Sequence, residues 1–397
     1  MFAIGQLKSS TGSIVQTGLP RSMGGKFNIS KERIWMNKKS AKKTIAATDQ
    51  FFVKELSGEE APTFVDLERL YELAGAFFSL RPWNIVDESE LIATHDSVSG
   101  EVWYCSVMGS LGEVFALHAY RGDEGLQLFN QIANKEILEP AEILGSMNCL
   151  CAGVVSRTEL EKQDRALLTA LGHPARRDAL APIFRSIRPG FQPWYPNAEE
   201  VRILTDCLIA SLVVCGQLEK EEDLDLWDEE GVYPLVKQNR DIEGHYMIVR
   251  FKPNLASESD AAIELPEELL QQLRGRDFAL HGKLELAYIH TGASIGKANQ
   301  RGRSASVALA VDAESGLILA TEMTDSSEPS EVVLAKTLLS AVNNTGILPQ
   351  EVYVRSARQK AVLTTLMHSH DTKIIVAKSL PTVEQVSSLL LEHLSAL

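Results

Sequence analysis

A chain of 397 residues has room for two domains of ordinary size. With 45% hydrophobic and 23% charged residues it has ample apolar side chains for packed cores, which excludes disorder over its whole length. The net charge of −14 is uneven: residues 1–48 hold nine basic side chains against Glu32 alone, a local +8, so the rest carries −22. So acidic a body argues against binding phosphate backbones through its folded part. The basic leader, with Lys38, Lys39, Lys42 and Lys43, is instead where an anionic partner such as nucleic acid would meet the chain, or it is a solvated leader.

No uninterrupted apolar run approaches the ~18 residues that cross a bilayer, and the start lacks a basic-then-apolar signal pattern. The expectation is a cytoplasmic protein with no membrane partner. The cysteines are Cys105, Cys149, Cys151, Cys207 and Cys215. An odd number in a long chain implies no disulfide framework, and Cys149-Leu150-Cys151 lacks zinc-ligand spacing, so no metal is expected there.

Residues 1–48, rich in Gly, Ser and Lys, lack a sustained period and are expected to be mostly disordered, with room for one short helix within 31–43. The first folded unit, 49–218, opens with a helix whose apolar stripe is Leu67, Leu70, Tyr71, Ala74, Phe77 and Phe78; it stops before Arg81-Pro82. An antiparallel meander follows: strands 90–95, 101–107 and 113–120 with turns at 96–100 and 108–112. A helix opens at Gly122, a further strand lies within 141–156, and a helix covers 158–171. After the proline-rich loop Arg188–Pro196, a long helix spans 198–217 with Val201, Leu204, Leu208, Leu212 and Cys215 in one stripe. Residues 219–230 hold eight acids and one base, which suggests a linker, or else a solvated turn within a larger domain.

The second unit, 231–397, begins with strands at 233–236 and 245–251 and a helix at 266–274. From about residue 284 the order is strand, strand, strand, helix, strand, helix, strand, helix, with a hairpin at Asp312–Gly316. The expected class is therefore an α+β domain followed by an α/β domain.

That element order resembles the ribonuclease H-like superfamily, which includes retroviral integrases and many transposases. The whole chain also resembles a bacterial family of two-domain proteins of unknown function. The residues behind this are Leu80-Arg81-Pro82-Trp83, Val107-Met108-Gly109, Tyr120-Arg121-Gly122, Gly125-Leu126, Arg188–Trp194, the Asp312–Gly316 hairpin and Gly346–Pro349. The second resemblance implies a domain plan and no activity.

The first resemblance implies a test. Its enzymes hold divalent metal ions on carboxylates from the first strand, the end of the fourth strand and a helix. Here the first strand runs to His290 and the fourth ends in Arg355-Ser356, a cation where a metal ligand belongs. Asp312, Glu331 and Glu384 are the remaining catalytic candidates, with Glu314 and Asp325 beside them. Asp312 and Glu314 also suit a turn for backbone reasons. Gly292-Ala293-Ser294-Ile295-Gly296 has a nucleophile-elbow pattern, but a loop and not a helix follows it. The same loop carries Lys297, Arg301 and Arg303, which could contact phosphates. Trp83, Trp194, Tyr195 and Trp227 suit either an interface or loop-closed cores.

The sequence thus favours a non-catalytic binding or adaptor protein with an unidentified protein partner and no cofactor. The alternative is a nucleic-acid-processing enzyme of nuclease or transposase type that needs Mg²⁺ or Mn²⁺. The enzyme should gather at least two of the five carboxylates in a cleft; the adaptor should scatter them and expose an apolar patch.

Overall fold

The computed structural model describes residues 61–112, 114–134, 143, 145–172, 180–220, 225–227, 229–238, 245–254, 264–296 and 300–395. The basic leader, and with it Lys38, Lys39, Lys42 and Lys43, lies outside the described residues, as does Lys297.

Helix α1 (Phe64–Leu80) starts at a capping box, in which Thr63 accepts from the Asp66 amide and Asp66 accepts from that of Thr63. It ends where Arg81 turns left-handed before Pro82. Strands β1 (Ile92–His95), β2 (Val102–Met108) and β3 (Ala116–Arg121) form the expected meander. Helix α2 (Gly122–Ala133), strand β4 (Cys149–Val155), helix α3 (Lys162–Ala170), strand β5 (Ala181–Ile187) and helix α4 (Ala198–Leu218) follow. The sequence reading left β5 unassigned.

Strands β6 (Tyr233–Gln238) and β7 (Tyr246–Phe251) correct the expected domain boundary. They belong to the first sheet, whose order is β5-β4-β3-β2-β1-β6-β7. Thr94 of β1 pairs with Val236 of β6 in parallel; every other pairing in the sheet is antiparallel. The acidic stretch 219–230 is thus a connection within the first domain, and the division falls after Phe251. Helices α1 and α4 cover one face of this sheet, where Leu70, Phe77, Leu204 and Leu208 are fully buried; α2 packs on the other, with Tyr104, Leu126 and Leu235. Helix α4 is long and apolar enough to cross a membrane by length and composition, and 72% of its most apolar stretch is buried in this fold. All five cysteines are free and buried.

The second domain follows the expected order. Helix α5 (Glu267–Gln271) and the short strand β8 (Ala279–Leu280) precede β9 (Lys283–Ile295), β10 (Arg303–Asp312), β11 (Ile318–Thr324) and helix α6 (Ser330–Thr345). Then come β12 (Ile347–Leu348), β13 (Glu351–Val354), α7 (Ala357–Leu366), β14 (Lys373–Val376) and α8 (Pro381–Ser395). The sheet order is β11-β10-β9-β13-β14, with β10 antiparallel to both β11 and β9, and β9, β13 and β14 parallel. Helices α6 and α7 bury Leu286, Ala308, Val333, Leu338 and Leu363 on one face; α8 buries Leu309, Val311, Leu380 and Val383 on the other.

Strand β9 outruns its partner β13. They pair only from Lys283 to Glu285, whereas β9 pairs with β10 as far as Ile295. Strand β11 pairs with β10 only as far as Ser306, so β9 from Thr291 to Ile295 and β10 from Arg303 to Ala305 make a short two-stranded ribbon at the end of the sheet. The ribbon is where the two domains meet.

Candidate functional site at the ribbon end of the second sheet

The Arg188–Trp194 loop docks on the ribbon by backbone pairing. The Gln192 amide donates to the Gly302 carbonyl at 2.9 Å, and the Ser304 amide donates to the Gly190 carbonyl at 2.9 Å. Phe191 and Arg303 form an antiparallel bridge, and the Arg303 guanidinium lies 4.9 Å from the centre of the Phe191 ring. The Gln192 side chain donates to the Ala293 carbonyl and to Ser304 Oγ, both at 3.2 Å. Gly190 is needed for close approach: a Cβ there would sit 2.9 Å from the Ser326 carbonyl oxygen. A second glycine, Gly145, lies against the His290 ring, and a Cβ there would fall 2.1 Å from Nε2.

Of the two basic loop residues described, the Arg301 side chain is buried and that of Arg303 is 41% exposed. Arg301 is only 8% exposed; it donates to Ser186 Oγ at 3.1 Å and lies 3.7 Å from Glu200. Glu200 also accepts from Arg188 Nε at 3.0 Å and from the Asn197 amide at 3.0 Å, at the first turn of α4. Arg303 stacks on Phe191 and pairs with Asp325 at 3.7 Å. The charges of Arg301 and Arg303 are thus paired at the junction of the two domains.

A chain of hydroxyls lies under the clasp. Tyr288 donates to Ser326 Oγ at 3.0 Å, and Ser326 donates to the Ser304 carbonyl at 2.9 Å. Ser306 Oγ is 2.9 Å from Ser326 Oγ and 3.1 Å from His290 Nδ1. Ser326 is one of two non-glycine residues among those described with positive φ. Ser294, of the elbow-like pattern, lies on β9 opposite Ser304, with no helix following it.

Of the five carboxylates proposed from sequence, only Asp312 and Glu314, neighbours in one hairpin turn, line a common cavity; Glu331, Glu384 and Asp325 are each paired with an arginine elsewhere. Glu331, in the first turn of α6, is held by Arg358 Nε at 3.2 Å. Glu384, on α8, is held by Arg355 at 2.7 Å and accepts from the Leu380 amide. These two glutamates sit on helices that cover opposite faces of the sheet. Asp312 is at the far end of β10, where it accepts from Ser315 Oγ at 2.6 Å and from the Ser315 amide at 2.7 Å; these bonds hold its carboxyl below the usual range. Asp312 and Glu314 rim a separate cavity of about 250 Å³ with His281, Lys283, Leu317 and Ile347. Among the described residues no three His, Cys, Asp or Glu side chains form a cluster able to hold a metal ion.

One further carboxylate escaped the sequence reading. Glu285 on β9 is buried and accepts from the Val383 amide at 2.8 Å, so it caps the start of α8. Its signal was an acid at an inward position of an apolar strand. The tryptophans close cores: the Trp83 ring is 4.5 Å from that of Phe115, and Trp227 Nε1 donates to the Leu91 carbonyl at 2.9 Å.

Comparison with known proteins also divides the chain in two, with β7 outside both matches. Residues 68–235 match a domain of unknown function, DUF7309, and residues 269–390 match another, DUF6930. The chain joins two domains of unknown function. No curated protein matches it, and no solved structure does. Strands β1 to β6 fall in the DUF7309 region, wholly or in part, and the five-stranded sheet falls in the DUF6930 region. The clasp therefore joins one family region to the other, through Ser186–Glu200 on one side and His290–Ser326 on the other.

Proposed function

We propose that the chain is a non-catalytic binding protein, an adaptor, whose DUF6930 region is a ribonuclease H-like core without a metal site. The strand order β11-β10-β9-β13-β14, with three antiparallel strands leading into two parallel ones, supports the ribonuclease H-like reading. The observation that carries the non-catalytic reading is the pairing of the helical carboxylates with arginines, Glu384 with Arg355 and Glu331 with Arg358. A metal site needs carboxylates whose charge is left for the ion. Here β13 is followed at once by Arg355, and the two glutamates that could have served are each neutralised by a cation.

Exposed apolar side chains on edge strand β11 fit an adaptor. Ile318 and Met323 are 47% and 72% exposed and lie opposite Val311 and Val307, on the face that α8 only partly covers. Such an edge suits a protein partner. The buried, reduced cysteines fit a cytoplasmic setting. The basic leader adds a route to an anionic partner, in the first instance nucleic acid.

The test is fluorescence anisotropy of labelled single- and double-stranded DNA and RNA with the full chain, over a salt series, with and without Mn²⁺, followed by gels for cut strands. The expected result is no cleavage. Any salt-sensitive binding should vanish when Lys38, Lys39, Lys42 and Lys43 are changed together to Glu. Cleavage that depends on Mn²⁺ would overturn the adaptor reading in favour of a nuclease or transposase.

A further inference from the structure

The hairpin end of the second sheet, opposite the clasp, holds the cavity of about 250 Å³. Its floor is apolar, made by Leu284 of β9, Leu319 of β11 and Ala341 and Val342 of α6. Two large apolar side chains stand at its mouth in contact with water: Leu317 is 64% exposed and Ile347 is 38% exposed. Apolar side chains left in water around a hollow mark a place for an apolar group.

The polar rim of this cavity accepts more than it donates. The five amides of the hairpin turn are all in use. Those of Glu314 and Ser315 go to Asp312 Oδ1, that of Gly316 to the Asp312 carbonyl, that of Leu317 to Ser315 Oγ and that of Ala313 to the Lys283 carbonyl. The turn therefore has no N–H left to bind an anion. The Lys283 ammonium is held by Glu351 at 3.4 Å, with Glu314 a weaker neighbour. His281 is the other ionisable base on the rim, and it helps to hold the Asp312 carboxyl down.

Acceptors remain. All three side-chain bonds to Asp312 go to Oδ1; among the described residues none uses Oδ2. That oxygen lies on the side of Gly282, whose Cβ position is 3.7 Å from it. Glu314 adds a second carboxylate to the rim. The last turn of α6 lines the cavity through Ala341, Val342 and Thr345 and contains no basic residue. Arg276 touches that turn at the Asn343 side chain, outside the lining. The carbonyl end of a helix favours a cation.

We propose that this cavity binds a small primary amine with an apolar body about the size of a benzene ring. The ammonium meets Asp312 Oδ2 and Glu314, and the apolar body lies against Leu284, Val342, Leu317 and Ile347. The size follows from the volume. An apolar cavity of about 150 Å³ holds benzene, and the further ~100 Å³ takes a two-carbon arm with its ammonium. The site uses neither the leader nor the clasp, so it stands whether or not the adaptor reading does.

The test is a methyl-detected NMR titration of the full chain at pH 8 with 2-phenylethylamine. The same titration with 2-phenylethanol and with 3-phenylpropionate gives the neutral and anionic counterparts. The amine should shift the methyls of Leu284, Leu317, Val342 and Ile347, with a Kd on the order of 1 mM. The alcohol should bind about tenfold more weakly, and the carboxylate more weakly still. Glu314→Gln and Asp312→Asn should each weaken the amine about threefold, and about tenfold together, without moving the alcohol. Asn at 312 keeps an oxygen for Ser315, and Glu314→Gln leaves the turn's bonds untouched, so the two changes check each other. Leu317→Ala should weaken amine and alcohol alike, about threefold.

No shift at these methyls with the amine up to about 20 mM would overturn the proposal, since that is some twentyfold above the expected Kd. Equal affinity for amine and alcohol would reduce the site to an apolar hollow and overturn the charge recognition. Tighter binding of the carboxylate would give the site to anions through His281 and Lys283. Unchanged amine affinity in the Glu314→Gln, Asp312→Asn double variant would overturn it as well.

Discussion

Arg301, two residues before β10, lies 3.7 Å from Glu200 at the head of α4, and the two side chains are only 8% and 11% exposed. The pair crosses from one domain to the other. Its two members are not equivalent, because Glu200 also holds Arg188 while Ser186 touches both Glu200 and Arg301.

Removing the hub should therefore cost more than removing one spoke. Glu200→Gln leaves two arginines facing a neutral amide, and about 3 kcal/mol of stability should be lost. Arg301→Met leaves Glu200 with Arg188, Ser186 and the Asn197 amide, so about 1–2 kcal/mol is expected. Urea denaturation of the two variants checks the order. A larger loss for Arg301→Met would mean that the arginine, and not the glutamate, organises the clasp.

Gly109 belongs to one of the motifs that carried the resemblance to a two-domain family, and the structure gives the reason for glycine. Its φ is 139°, and a Cβ would lie 2.7 Å from Phe115 Cδ1 and 3.0 Å from Trp83 Cγ. Gly109→Ala must strain the backbone and displace a packed aromatic pair, a loss of about 2–4 kcal/mol. Gly75, inside α1, has nothing within 4 Å of its Cβ position. There alanine should stabilise by about 0.5–1 kcal/mol through helix propensity. Thermal unfolding of the two variants should shift in opposite directions.

Locally periodic elements were legible, and long-range pairings were not. The stripe Leu67–Phe77 and the apolar run of β10 announced themselves, because each is written within a dozen residues. Strand β5 hid because Pro182 and Arg185 break its alternation. The parallel pairing of Thr94 with Val236 spans 142 positions, and the acids between α4 and β6 imitate a linker. At the site, the same limit applied to charge. Arg301 was visible as a cation, but its burial against Glu200 is tertiary. Arg355 was legible as a departure from a metal site, while its partner Glu384 was found only by folding the chain. The contact of Gly145 with His290 had no local signature at all.

Asp206 gives the first domain a pH dependence of its own. Burial, helped by the nearby Asp96 carboxylate, pushes its carboxyl up to about 6 against the opposing pull of Arg202 and Ser97. One carboxyl oxygen, Oδ2, is buried without a hydrogen-bond partner. A carboxyl raised in the folded state favours folding at low pH, and the benefit is lost as the pH rises from about 4 to about 6. The loss should be about 2 kcal/mol, reduced from the full shift because the group is not wholly buried. Asp206→Asn should then be about 2 kcal/mol more stable than the unaltered chain at pH 8, with a flatter profile between pH 4 and 6. Arg202 keeps Asp96 in that variant, so it gains no unpaired charge. Denaturation midpoints over that pH range decide it, and an Asn variant no more stable at pH 8 would sink the assignment.

The ion pair of Asp164 with Arg185 tests how much of the first domain's stability is charge and how much is packing. Two bonds of 3.0 and 2.7 Å join them, with side chains 3% and 11% exposed. The guanidinium lies 4.6 Å from the centre of the Tyr195 ring, and Tyr195 donates to Glu161 at 2.9 Å. Asp164→Leu strands a buried cation, and a loss of about 3–4 kcal/mol is expected. Arg185→Met strands a buried carboxylate with a similar cost. The double change Asp164→Leu with Arg185→Met removes both charges and keeps the volume, so it should lie within about 1 kcal/mol of the unaltered chain. A complete double-mutant cycle by urea denaturation would then show strong positive coupling. If the double variant were as unstable as the sum of the singles, the pair would owe its value to the Tyr195 and Glu161 contacts around it and not to the meeting of the two charges.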